Sequence, residues 1–138
     1  VCAESLGVMA MLVEHTAGYV KTRKQFGVPI GSFQALQHRL ADMLMRVESA
    51  RSMTYLLTTT VDSADAATRR RTTAAVKAMV SQAGRFVGQG AIQLHGGIGV
   101  TDEAPVSHYF KRMTAITMLF GDADHHVARF SDLMERGA

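Results

Sequence analysis

Tryptophan is absent, cysteine occurs once, proline twice, and aromatic residues make up only 7% of the 138 residues. A lone cysteine, Cys2, excludes an internal disulfide, so packing alone must hold the fold. Its place beside Ala3 in an apolar stretch suits a buried helix residue better than a nucleophile, and no activating pair accompanies it. No apolar run reaches the ~18 residues needed to span a bilayer, and the amino end lacks the basic start and small-residue cleavage site of a leader. The chain is therefore expected to be soluble and cytoplasmic, without membrane insertion. No charge of one sign dominates: 15 Lys and Arg stand against 12 Asp and Glu, for a net charge of +3. Only Arg69-Arg70-Arg71 is dense, and no aromatics interleave with it to stack bases, which argues against a nucleic-acid partner. A mildly basic balance suits a small anionic ligand such as one bearing phosphates.

What is present is helical periodicity. Hydrophobic residues form 47% of the chain, enough for one substantial core and one domain. Between the glycine clusters they recur at three- and four-residue spacing, which predicts an all-α fold. Leu6, Met9, Ala10, Val13, Ala17 and Val20 mark the apolar face of a first helix, from Val1 to about Arg23. No capping residue precedes it, so the helix is expected to be under way at Val1 and to follow earlier chain. Gly27, Pro29 and Gly31 predict a loop, with Ser32 placed to cap a second helix from Phe33 to about Thr60. Leu36, Leu40, Met43, Leu44, Val47, Ala50, Met53, Tyr55 and Leu57 carry its pattern. Asp62, Ser63 and Asp65 read as a connection. A third helix from about Thr68 carries Ala75, Met79, Ala83, Phe86, Val87, Ala91 and Ile92 and stops at Gly96-Gly97-Ile98-Gly99. Pro105 opens a fourth helix to about Phe120, through Val106, Tyr109, Phe110, Met113, Ile116 and Leu119. Asp122 caps a fifth, through His126, Val127, Phe130, Leu133 and Met134 to Gly137. Three long antiparallel helices and two shorter ones predict an up-and-down antiparallel helical bundle.

The segment Tyr19-Val20-Lys21-Thr22-Arg23-Lys24-Gln25-Phe26-Gly27-Val28-Pro29-Ile30-Gly31-Ser32-Phe33-Gln34-Ala35-Leu36-Gln37 resembles the signature that acyl-CoA dehydrogenases carry between the first two helices of their last domain. Gln93-Leu94-His95-Gly96-Gly97-Ile98-Gly99-Val100-Thr101 resembles that family's glycine motif, in the same order and at the same separation. The resemblance spans essentially residues 1–138, as a single carboxy-terminal helical domain of a flavoprotein whose amino-terminal helical and β domains would lie outside the sequence. It implies FAD at the seam between subunits, in a homo- or hetero-oligomer (dimer or tetramer). Arg23, Gln25 and Phe26 would meet the adenosine and diphosphate of a neighbour's flavin, with Phe33 and Gln34 lining the same region. Gln93, Gly96 and Gly97 would approach it from the end of the third helix. A guanidinium suits a phosphate oxygen, and glycine lets the backbone come close.

In this family an acyl-CoA substrate loses a proton to a carboxylate and a hydride to the flavin, giving enoyl-CoA, with an electron-transfer protein as the possible onward acceptor. Many members place the glutamate just before a glycine at the end of the fourth helix. Here Met118-Leu119-Phe120-Gly121-Asp122 puts Phe120 at that position, and Asp122 reads as a helix cap. Members resembling isovaleryl-CoA dehydrogenase draw the base from the first helix, at a position that aligns before Val1. Glu4 lies about two turns further on, roughly 10 Å away, and is the one carboxylate candidate, with exposed helix surface as its plainer reading. His125 and His126 point in different directions on a helix, so a metal is not expected. His95 reads as a variation within the glycine block and His108 as surface. The resemblance therefore implies the flavin-binding and oligomerisation domain of an acyl-CoA dehydrogenase-like oxidoreductase, inactive as a fragment. A non-catalytic subunit of a heteromeric dehydrogenase is one alternative, and a flavin monooxygenase or nitroalkane oxidase of the same fold is another.

Overall fold

The computed structural model describes residues 1–63 and 65–135. The described residues form five α-helices: α1 (Cys2–Thr22), α2 (Gln34–Ser63), α3 (Ala66–His95), α4 (Pro105–Met118) and α5 (Ala123–Glu135). The expected helix end at Gly137 lies outside the described residues. No described helix is long and apolar enough to cross a membrane. Between α1 and α2 runs a hairpin of β1 (Lys24–Gln25) and β2 (Val28–Pro29), paired antiparallel with Lys24 opposite Pro29 and Gln25 opposite Val28. Its two turn residues, Phe26 and Gly27, both have positive φ, 55° and 82°, the combination that matches the natural twist of a two-residue hairpin. A 3-10 turn, Ile30–Ser32, then leads into α2.

Helix α3 is the axis of the bundle. It packs against each of the other four helices and is buried along most of its length from Ala74 to His95, with an exposed stripe at Gln82, Arg85, Phe86, Gln89 and Gln93. Close approach is possible because it is built of small residues. A Cβ at Gly84 would lie 2.2 Å from Met113 Cε, one at Gly88 3.0 Å from Phe110, and one at Gly90 2.9 Å from Met43 Sδ. These contacts also fix the directions. Gly88 with Phe110 and Gly84 with Met113 set α4 antiparallel to α3, and Gly90 with Met43 aligns the carboxy-terminal part of α3 with the amino-terminal half of α2. The up-and-down bundle expected from periodicity is the one observed.

Several local expectations are corrected. Ser32 does not cap α2, because its hydroxyl donates to the Pro29 carbonyl at 2.7 Å within the 3-10 turn. Asp65, read as connection, is the N-cap of α3: its carboxylate accepts from Ala67 N and Thr68 N at 2.8 and 3.0 Å, so the helix starts at Ala66. The buried stripe of α1 is Cys2, Ser5, Met9, Leu12, Thr16 and Val20, and Leu6 and Val13 are only half-buried. Ser5 and Thr16 tolerate burial by donating to the carbonyls of Val1 and Leu12 one turn back. Leu44, Tyr55, Leu119, Val127 and Met134, expected on apolar faces, are exposed.

The glycines give the packing account a direct test. Gly84→Leu should lower the unfolding midpoint, with overpacking against Met113 costing about 1–3 kcal/mol. Gly7→Ala, where an added Cβ meets nothing within 4 Å, should raise it by up to about 1 kcal/mol through helix propensity. Equal shifts of one sign in thermal unfolding would remove close approach as the reason for glycine in α3.

Candidate functional site

At one end of the bundle lie the carboxy terminus of α1, the hairpin, the amino terminus of α2 and the carboxy terminus of α3. Tyr19, in the last turn of α1, stacks on His95, the last residue of α3, with ring centroids 4.4 Å apart. Ile30 N donates to the Arg23 carbonyl, and Gln37 Nε2 donates to the Gly31 carbonyl, so the hairpin is fastened to both helices it joins. The Phe26 ring meets Phe33 edge-on at 6.1 Å yet is 90% exposed. Arg23, Gln25, Gln34 and Gln93 are all exposed. Among the described residues none of these four side chains makes a hydrogen bond or ion pair within the chain. A groove of about 440 Å³ between α2 and α3 joins Gln93 to Arg39, Gln89 and Phe86.

Gly96 ends α3 with φ 65°, and its N–H reaches back to the carbonyls of Gln93 and Ile92. Gly97 differs, because it lacks positive φ and an added Cβ would meet nothing within 4 Å. Neither backbone conformation nor internal packing requires a glycine there. That face of the turn is open to a group from outside the chain. The sequence-predicted residues Arg23, Gln25, Phe26, Phe33, Gln34, Gln93, Gly96 and Gly97 thus share one end of the molecule, exposed and unspent.

Phe120 stands at the other end. Helix α1 separates the two, 21 residues and about 30 Å long at 1.5 Å per residue. Phe120 is 80% exposed, has φ 62°, and is followed by Gly121 at φ 97°. It lines a cleft of about 350 Å³ with Val1, Cys2, Thr54, Leu57 and Lys77. Glu4 is not among the lining residues. Its carboxylate accepts from Arg112 Nε at 2.7 Å and pairs with the same guanidinium at Nη2, tying α1 to α4. The expectation of Glu4 as a base meets this competing partner, and the geometry gives it a bridging role at the surface. Asp122 caps α5 by accepting from His125 N at 2.9 Å.

Sequence reading missed Lys77. It is 4% exposed, and its ammonium donates to Ser81 Oγ at 2.9 Å, to the Thr117 and Gly121 carbonyls at 3.2 and 3.0 Å, and more distantly to Ile116 O. A cation on the last carbonyls of α4 also opposes the negative end of that helix's dipole. Burial pushes its pKa down, and nearby Cys2 and Asp122 push it back up. Burial raises the Cys2 thiol in turn, which agrees with a core residue and not an activated nucleophile. The one available signal for Lys77 was a lone lysine inside Ala74-Ala75-Val76-Lys77-Ala78-Met79-Val80.

With this geometry in view, the comparisons with known proteins define the class. The family model described as "Acyl-CoA dehydrogenase, C-terminal domain" matches residues 1–132, and the chain belongs to the acyl-CoA dehydrogenase family as that domain. It is 39% identical over 127 residues to the acyl-CoA dehydrogenase IpdE2 of Mycolicibacterium smegmatis, covering 92% of this chain and 39% of that protein. A solved Tcur3481-Tcur3483 steroid ACAD variant superposes with a TM-score of 0.94 at 32% identity, covering 99% of this chain and 37% of that one. The ChsE4-ChsE5 complex from Mycobacterium tuberculosis gives 0.90 at 31% identity, covering 97% and 36%. The chain therefore spans well under half of the length of the proteins it matches.

Two buried histidines set a pH dependence. His95 Nδ1 donates to the Ala91 carbonyl and His126 Nε2 to the Phe120 carbonyl, at 2.8 and 2.9 Å. The second nitrogen of His126 is buried without a partner, so its neutral form is the one that fits. Burial holds both imidazoles below their ordinary value of 6.5. The unfolded chain takes up protons near 6.5 and the folded chain only lower, so this contribution to stability is complete above 6.5 and is lost as pH falls through the lowered values. Unfolding midpoints measured from pH 7.5 to 5 should fall on the acid side, and His95→Phe with His126→Leu should flatten that slope. An unchanged slope in the double variant would exclude these imidazoles as its source.

Proposed function

We propose that this domain forms one wall of an FAD site completed by a neighbouring subunit, in an oligomeric acyl-CoA dehydrogenase-like oxidoreductase whose other domains precede it. The observation that carries the reading is the gathering of Arg23, Gln25, Phe26, Phe33, Gln34, Gln93, Gly96 and Gly97 at one end of the bundle, exposed and without internal partners for their polar side chains. The residues fit the group. Arg23 offers a guanidinium with no carboxylate beside it for a diphosphate oxygen, and Phe26 offers an uncovered ring for adenosine. Gly97 leaves room where a side chain would stand. FAD bound there supplies a hydride acceptor for the oxidation of an acyl-CoA thioester. This chain's own residues bind and orient it, and an electron-transfer protein would take the electrons onward.

A second reading is favoured by a specific observation at the opposite end. Phe120 occupies the position where the resemblance calls for a glutamate, and Glu4 is engaged with Arg112. The domain then belongs to a subunit that keeps its share of a flavin site while an unlike partner chain supplies the base. Similarity to the ChsE4-ChsE5 complex supports that arrangement.

The full-length parent should be assayed for acyl-CoA-dependent flavin bleaching, alone and with the products of neighbouring genes. Bleaching alone excludes the partner-subunit reading, bleaching only with a partner supports it, and oxygen-dependent turnover without any acyl-CoA response would point to a monooxygenase or oxidase instead. Arg23→Ala and Gly97→Val should each lower flavin occupancy of the purified oligomer at least about tenfold, the loss expected of one charge-assisted contact or one steric block. Full occupancy in both variants would remove the hairpin and glycine turn from the cofactor site.

A further inference from the structure

The turn from Phe120 to Gly121 is held from two helices at once. His126 of α5 donates Nε2–H to the Phe120 carbonyl at 2.9 Å, and Lys77 of α3, some 40 residues earlier, donates to the Gly121 carbonyl at 3.0 Å. Two successive carbonyls of a turn whose two residues both have positive φ are thus gripped by buried donors. Positive φ is strained for a phenylalanine and persists only where surrounding contacts over-determine it. The same ammonium also holds Ser81 Oγ and the Thr117 carbonyl, so its N–H groups are engaged by the turn and its surroundings. Gly121 allows no alternative, because an added Cβ would lie 2.5 Å from the His125 ring. The outcome is an aromatic ring, 80% exposed, carried by a fixed stretch of backbone at the edge of a cleft also lined by Cys2, Ala3, Thr54, Leu57, Thr58 and Thr73.

We infer that Lys77 and His126 are positioning residues that lock the Phe120–Gly121 turn, so that the Phe120 ring forms a rigid wall of the cleft and limits the bulk of the acyl group accepted there. The inference rests on the acyl-CoA reading proposed above, and it concerns the end of the bundle remote from the flavin residues. A rigid ring discriminates by size, because a wall that yields admits bulkier groups at little cost.

The test uses the full-length parent, with its partner chain if one is required, carrying Lys77→Met or the gentler His126→Leu, which keeps the experiment readable if the first variant fails to fold. Amide hydrogen exchange in peptides covering residues 119–126 should rise at least about tenfold, while hairpin peptides stay unchanged. Across acyl-CoA substrates of increasing bulk, the ratio of kcat/KM for bulky over small acyl groups should rise about tenfold, mainly through KM. Phe120→Ala should give the same shift, Lys77→Met added to it should give no more, and His126→Gln, which keeps an N–H donor, should restore the wild-type profile. Additive shifts, an equal loss for all acyl groups, or unchanged exchange at 119–126 with normal turnover would overturn the lock. If the wild-type parent turns over no acyl-CoA while exchange responds as described, the acyl-CoA reading and the selectivity role fall together and the lock itself is upheld.

Discussion

The whole arrangement depends on how closely four helices can approach α3. A helix that meets four others must carry few bulky side chains on its packed faces, and Gly84, Gly88 and Gly90 each receive a large side chain from a neighbour where a Cβ would otherwise stand. That sets the registers of α2 and α4 against α3, and the registers set where the loops fall. The hairpin after α1 and the glycine turn after α3 are brought to one end through Tyr19 on His95, while the turn after α4 is brought back to the early part of α3, within reach of Lys77. Interiors pack too tightly to absorb a slipped register, so the two ends are positioned by the same small residues.

Two phenylalanines mark those ends. Among the described residues, Phe26 and Phe120 are the non-glycine residues with positive φ, and both are more than three-quarters exposed. Burial of an aromatic ring normally contributes to stability, and a bulky residue in the left-handed region costs about 1–3 kcal/mol. Phe26 recovers only part of that cost, through its edge-on contact with Phe33, and the Phe120 ring is 80% exposed. Strain combined with an uncovered apolar surface at two turns is the mark of groups held ready for something outside the chain. At Phe26 the surroundings are polar and basic, with Arg23 and several glutamines, which fits a dinucleotide. At Phe120 they are largely apolar, with the nearby lysine hydrogen-bonded to carbonyls of the turn and of α4, which fits a hydrocarbon group.

Much of this was legible in the sequence. Helix period located all five helices, and proline and glycine placed most of their ends. The two motifs named residues that the fold brings to one end. What periodicity could not show was rotation about each helix axis, because polarity and burial are not the same property. Ser5, Thr16 and Thr54 are buried by returning their hydroxyls to carbonyls one turn back, whereas Leu44 and Tyr55 lie outward on α2. Asp65 and Ser32 were misassigned for a related reason. Either residue can cap a helix or close a turn, and only the surrounding backbone decides which. Lys77 was harder still, since its partners are carbonyls some 40 residues away and backbone acceptors leave no trace in sequence.

Phe120, at the position where the resemblance implies a carboxylate, is easier to understand once the ends are seen as separate. A change in the turn after α4 leaves α3, the hairpin and the glycine turn untouched, because about 30 Å of α1 lies between them. Effects at sites so far apart, with no shared partners, are expected to be nearly independent. A chain of this fold can therefore lose a base at one end without losing the residues that would face a dinucleotide at the other. The Lys77 and His126 contacts act on backbone carbonyls and take no account of the side chain at position 120. The turn would be held in the same way whether it presented a carboxylate or a ring, so the scaffold can carry either group.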